Sequence, residues 1–192
     1  MTHVALPPFS GAVLCGGASR RMGTDKALVA VGPGGRPLAS VALAALRAAG
    51  AVEVAAVGGD RPGLAALGFS YVADRHPGEG PLGGLVSALA AAPCEVVAVL
   101  ACDLPDVEAG AVRAVVAALG DAAIAVPVVD GRLQVLLAAY HRRCLPHLEA
   151  AFAAGVRAVH RALAGLDVRT VELAEPRWAR NVNRPGDLGA AG

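Results

Sequence analysis

Large rings are scarce in this sequence. Aromatics supply 3% of its 192 residues, so a core has to be built from alanine, valine and leucine, which dominate a hydrophobic fraction of 55%. An excess of charge of either sign is also lacking. Lys+Arg is 17 against Asp+Glu 16, a formal net charge of +1, which excludes the diffuse basic surface that holds nucleic acid by phosphate neutralisation. Any anion site must therefore be local. Lysine itself is almost absent: Lys26 is the only one, and arginine provides the other cations. No apolar run reaches about 18 uninterrupted residues, and the first ten residues lack a basic stretch followed by a long apolar one, so neither membrane spanning nor export is expected. The four cysteines (Cys15, Cys94, Cys102, Cys144) form no Cys-x-x-Cys pair. This argues against a zinc ribbon or disulfide scaffold and for a reduced, cytoplasmic chain. The length suits one domain, here residues 1–192 with a core of about 10–188, and the composition excludes disorder and a collagen-like fibre.

Short apolar runs alternate with helical patterns. Val13-Leu14-Cys15, Val52 to Val57, Phe69 to Ala73, Val96 to Cys102 and Ala122 to Val128 read as strands, each running into Gly or Asp. Between them, Pro37 to Ala49 stops at Gly50, Leu82 to Ala92 enters through Pro81, and a third helix carries Val112, Val115, Val116 and Leu119, with Asp106 as its expected N-cap. Strand and helix repeated in this way predict an α/β fold: a single-domain, Rossmann-like three-layer sandwich with a mostly parallel sheet. Val96 to Cys102 shows no polar alternation, as expected of a central strand covered on both faces. Beyond Val128 the pattern loosens, with a strand over Gln134 to Tyr140, one or two helices over Leu145 to Leu163 and a strand over Asp167 to Leu173.

In an open parallel sheet, ligands bind beyond the carboxyl ends of the strands. Gly16-Gly17, Gly58-Gly59, Asp74 and Asp103 all fall at such ends and border one crevice if their strands are neighbours. The stretch Leu14-Cys15-Gly16-Gly17-Ala18-Ser19-Arg20-Arg21-Met22-Gly23-Thr24-Asp25-Lys26 is the most informative. Glycines let the backbone approach a phosphate, and Arg20, Arg21 and Lys26 add charge. The spacing fits neither a Walker loop, since six residues separate Gly16 from Gly23, nor a Gly-x-Gly-x-x-Gly fingerprint.

Leu14 to Lys26 resembles the opening motif of the molybdenum cofactor guanylyltransferases, nucleotidyltransferases with a Rossmann-like fold of the nucleotide-diphospho-sugar transferase type. Three further segments continue the resemblance in order: Gly80-Pro81-Leu82-Gly83-Gly84, Cys102-Asp103-Leu104-Pro105, and Asn181-Val182-Asn183-Arg184-Pro185-Gly186-Asp187-Leu188. The resemblance implies transfer of GMP from GTP to the terminal phosphate of molybdopterin, releasing pyrophosphate, with Mg²⁺ as cofactor. It implies Lys26, Asp103 and Arg21 as catalytic residues, with Asp103 also the metal ligand. Leu14, Cys15, Gly16, Gly17, Lys26, Gly58, Asp74, Gly80, Pro81 and Asp103 would contact the nucleotide. Asn181 and Asn183 would contact the acceptor, although a turn with a helix N-cap reads nearly as well there. Asp103 could equally cap a helix, and Asp74 could be a solvated loop residue.

The related cytidylyltransferases usually carry Leu-Ala-Ala-Gly in the first motif, whereas this chain has Leu-Cys-Gly-Gly, which favours guanine. There are departures. Cys15 stands where relatives often have alanine and reads as a small buried hydrophobe. Gly58 stands where some place an asparagine, and Leu133-Gln134 replaces a His-Pro pair. A cytidylyl- or sugar-phosphate nucleotidyltransferase and a catalytically silent nucleotide-binding module stay open as alternatives. A monomer is the default expectation, with transient contact with cofactor-biosynthesis proteins or a molybdoenzyme chaperone, and charge and hydropathy give no reason to expect a nucleic-acid or membrane partner. Trp178 either covers the core or flanks the substrate, and Arg142-Arg143 read as soluble surface.

Overall fold

A computed structural model describes residues 5–16, 25–31 and 34–182. Its centre is β1 (Phe9–Leu14), in which every residue is buried. Phe9 and Val13 face one side of the sheet and Ala12 and Leu14 the other, as the two-residue period of a strand requires. β1 is followed by a 3₁₀ turn (Lys26–Leu28) and a short hairpin of β2 (Ala30–Val31) and β3 (Arg36–Pro37). Helix α1 (Leu38–Ala49) then ends at Gly50, whose φ of 99° lets its N–H turn back onto the carbonyls of Leu46 and Arg47.

β4 (Val54–Val57), α2 (Arg61–Ala66), β5 (Ser70–Val72), α3 (Pro81–Ala91), β6 (Val96–Ala101) and α4 (Ala109–Leu119) continue the alternation. β7 (Ile124–Val129), β8 (Arg132–Leu133), β9 (Leu137–His141), α5 (Leu145–Ala153), α6 (Val159–Ala162) and β10 (Val168–Val171) complete it. The main sheet has the order β10-β7-β9-β6-β1-β4-β5, with β8 paired to β7. β6, β1, β4 and β5 are mutually parallel, as are β7 and β10. β9 runs antiparallel to both β6 and β7, so the sheet is mixed on that side and not an uninterrupted parallel series.

Two apolar layers cover the sheet. On one side Leu43 and Leu46 of α1 pack with Val112, Val115, Val116 and Leu119 of α4 against Phe9, Val13, Ala98 and Leu100. On the other, Leu82, Leu85, Val86 and Leu89 of α3 pack with Leu148, Phe152 and Val159 against Ala12, Leu14, Val97 and Val99. β6 is covered by both layers, which is why its sequence lacks alternation.

One local expectation is corrected. Asp106 does not cap α4: Glu108 occupies the N-cap position without a side-chain bond, and the Asp106 carboxylate accepts from Arg180 Nε at 2.8 Å. An ionic partner from the chain's far end outcompetes the local cap. α2 has no apolar stripe to announce it in Arg-Pro-Gly-Leu-Ala-Ala, and is started by the Asp60 side chain accepting from Gly63 N at 3.0 Å. Arg142 and Arg143 are engaged, the first with Glu95 at 3.6 Å and the second with the carbonyl of Asp121. Trp178, 9% exposed, joins the core layer, its ring against Gly110 of α4.

Candidate active site

Because β6, β1, β4 and β5 are neighbours, the turns that follow them converge. They enclose an open cleft of about 190 Å³ lined by Leu14, Cys15, Gly16, Lys26, Val57, Asp74, Gly80, Pro81, Gly84, Ala101, Cys102, Asp103 and Leu136.

The floor is backbone. Cys15 and Gly16 donate their N–H groups to the Val57 carbonyl at 3.0 and 3.1 Å, which brings the end of β1 against the turn after β4. Gly58 has a φ of 68°, and a Cβ there would lie 3.1 Å from Gly16 Cα, so these two chain segments touch without side chains between them. A side chain at position 58 would need the two segments to part by a few tenths of an ångström.

One wall is acidic. Asp74 Oδ1 accepts from His76 N at 2.9 Å and lies 3.2 Å from the Ser87 hydroxyl, which also accepts from Arg75 N at 3.0 Å. Ser87 is 1% exposed, on the buried face of α3, and its single hydroxyl proton is shared between Asp74 Oδ1 and the nearer Gly83 carbonyl at 2.9 Å. Sequence reasoning missed Ser87. The available signal was a lone hydroxyl in the otherwise apolar run Leu82 to Ala92. The second carboxyl oxygen of Asp74 faces Gly16, where a Cβ would meet it at 3.5 Å.

The opposite wall carries the charge pair. Lys26 Nζ donates to Asp103 Oδ2 at 2.8 Å, with the two side chains 18% and 20% exposed. Asp103 stands just past β6, and its carbonyl accepts the Val182 N–H at 3.0 Å, which draws the segment containing Asn181 alongside. Gly80 and Pro81 open α3 at the cleft rim, where Arg157 braces them: its carbonyl accepts from Leu82 N at 3.3 Å and its guanidinium holds Glu79 at 2.8 Å. Cys15 and Cys102 lie in one apolar layer, each one residue past the Leu14–Ala101 pair that ends the β1–β6 register. The Cys102 thiol beside it, together with burial, pushes the Cys15 thiol far above its ordinary range and keeps it protonated.

The structure therefore brings together Leu14, Cys15, Gly16, Lys26, Gly58, Asp74, Gly80, Pro81 and Asp103, with Asn181 at the edge. Gly17, Arg20, Arg21 and Asn183 lie outside the described residues. Among the described residues no three His, Cys, Asp or Glu side chains cluster as a metal cage. A cation here would be held by hard carboxylate oxygen with ligand and water oxygens, a donor set that suits Mg²⁺ at Asp103. No helix of the described residues is long and apolar enough to cross a membrane.

Residues 11–169 match the MobA-like NTP transferase domain. A molybdenum cofactor guanylyltransferase of Xanthomonas euvesicatoria is 46% identical over 99 residues, 51% of this chain and about half (48%) of that protein. A probable molybdenum cofactor guanylyltransferase of Chloroflexus aggregans is 36% identical across 94% of this chain and 91% of that one. Among solved structures, the molybdopterin-guanine dinucleotide biosynthesis protein A of Archaeoglobus fulgidus superimposes with a TM-score of 0.72 at 25% identity, covering 93% of this chain and 94% of that one. The fold is that of the nucleotide-diphospho-sugar transferases, and the chain belongs to the family of MobA-like NTP transferase domains.

Proposed function

We propose that this protein transfers GMP from GTP to the terminal phosphate of molybdopterin, in molybdopterin guanine dinucleotide biosynthesis. The carrying observation is the Lys26–Asp103 pair, an ammonium and a carboxylate 2.8 Å apart above a glycine floor. The names of the relatives favour guanine and this acceptor.

In the reaction an oxygen of the acceptor phosphate bonds to the α-phosphorus of GTP, the bond from that phosphorus to the bridging oxygen breaks, and pyrophosphate leaves with the electron pair. Negative charge grows on the equatorial and leaving oxygens, so catalysis is positioning and electrostatic stabilisation. Lys26 turns from Asp103 to the triphosphate and screens that charge, with Arg21 assisting. The backbone at Leu14, Cys15, Gly16 and Gly17 admits the phosphates closely. Gly58, Gly80 and Pro81 bound the nucleotide, and Asp74, held by Ser87, accepts from its hydroxyl or amino groups. Asp103 would hold Mg²⁺, which when bound neutralises phosphate charge. Asn181 and Asn183 orient the acceptor. We place the protein in the cytoplasm as a monomer.

The test is a thermal-shift titration with GTP, CTP, UTP and ATP in the presence of Mg²⁺, followed by pyrophosphate release with molybdopterin. GTP at about 100 times its Kd raises stability by about 2.7 kcal/mol. A larger shift with CTP overturns the base assignment, a shift without pyrophosphate release favours a silent nucleotide-binding module, and no shift with any of the four overturns the nucleotide site itself.

A further inference from the structure

We infer that Asp25 is a positioning residue, which straps the Lys26 turn across the end of β1 and thereby sets where the ammonium meets the phosphates. The inference rests on the cleft being the nucleotide site proposed above. Asp25 Oδ1 accepts from Ala27 N at 3.0 Å, closing the 3₁₀ turn that begins at Lys26. Its other oxygen, Oδ2, accepts from Asp60 N at 2.7 Å, 35 residues away, in the turn between β4 and α2. Asp60 in its turn caps α2 through Gly63. The Lys26 turn is thus tied to the β4 side of the cleft by its neighbour's carboxylate, while Lys26 itself reaches Asp103 on the β6 side.

Two features show that the contact is built for a carboxylate. Gly59 has a φ of 79°, and a Cβ there would lie 2.9 Å from Asp25 Oδ2, so only glycine admits the approach. The two N–H donors come to different oxygens, which a carboxylate accepts and an amide cannot, because an amide has one acceptor oxygen. A negative charge near a triphosphate opposes binding. Its placement here is offset by fixing the single lysine of the chain.

The test is a double-mutant cycle with Asp25→Asn and Lys26→Ala in the full chain, titrated calorimetrically with GTP and with CTP. Asp25→Asn is expected to weaken nucleotide binding about tenfold when Lys26 is present, for the loss of one charge-assisted bond. In the Lys26→Ala background the same change should weaken it by less than about twofold, because the carboxylate acts through the ammonium. Equal weakening in both backgrounds, or none in either, overturns the inference. Selective ¹³Cε-lysine labelling supplies a readout independent of nucleotide, since one lysine gives one ε-methylene resonance, which sits beside the ammonium and far from the substituted position. That resonance should shift and broaden in Asp25→Asn with the melting temperature nearly kept. An unchanged resonance overturns the positioning role even if no nucleotide binds, whereas a shifted resonance in a protein that binds none upholds it and defeats only the functional reading.

Discussion

Lys26 and Asp103, 77 residues apart in the chain, meet at 2.8 Å across the open end of β1. The only lysine and the carboxylate after β6 therefore neutralise each other. In the function proposed above, phosphate would compete with Asp103 for the ammonium, and a cation with Lys26 for the carboxylate.

Lys26→Ala is expected to weaken GTP binding about 10- to 100-fold, the range of a lost charge-assisted hydrogen bond. Lys26→Arg should rescue little, because a planar fork does not replace a compact charge at the same point. Calorimetric titration checks both, and full affinity in the arginine variant contradicts the geometry.

Asp103→Asn should leave the fold in place, since the amide oxygen of asparagine can still accept from the Lys26 ammonium. Pyrophosphate release should nonetheless fall by about 100-fold or more, as when an electrostatic group at a reacting centre is removed. Melting curves and turnover measured on one preparation separate the two effects.

Ser87→Ala removes the hydroxyl that Asp74 and Arg75 N share, leaving a part-buried N–H without its acceptor. A loss of about 1–3 kcal/mol in urea unfolding is expected. With Asp74 released, KM for GTP should rise more than kcat falls; an unchanged KM would show that Asp74 does not depend on this support.

Stability should decline in alkali. Cys15 is pushed up by the Cys102 thiol and burial, Tyr140 chiefly by burial and Cys144 chiefly by burial, all from ordinary values of 9.0 to 10.0. A raised folded-state value means the native protein keeps protons that the unfolded chain releases. The stabilisation is complete below pH about 9 and is lost progressively above it, by up to about 1.4 kcal/mol per pH unit for each group. Urea unfolding between pH 8 and 10.5 reads the slope, and Cys15→Ala should flatten it.

The cleft was legible because its parts are strand ends. An apolar run that stops at Gly or Asp announces both the strand and the place where its loop turns back, and four such stops fell on neighbouring strands. What stayed hidden depends on pairing at a distance. Nothing local says that Asp106 would meet Arg180, that Asp25 would reach Asp60 N, or that Ser87 would turn toward Asp74. β9 was readable as a strand, but its direction is set by the tight return through β8, not by its own side chains. α2 escaped because a helix of six residues with proline and glycine is held by its cap and its neighbours more than by periodicity.

The reversed strand β9 also governs what the ribosome exposes. All four strands of the cleft half lie between residues 9 and 101, so the chain can pair them before the remainder emerges. β6 then presents an entirely apolar edge until β9, ending at residue 141, closes it. A released chain truncated after residue 133 should pellet where one truncated after residue 150 stays in the supernatant, and β9 is in that sense the edge guard of a half that was finished first.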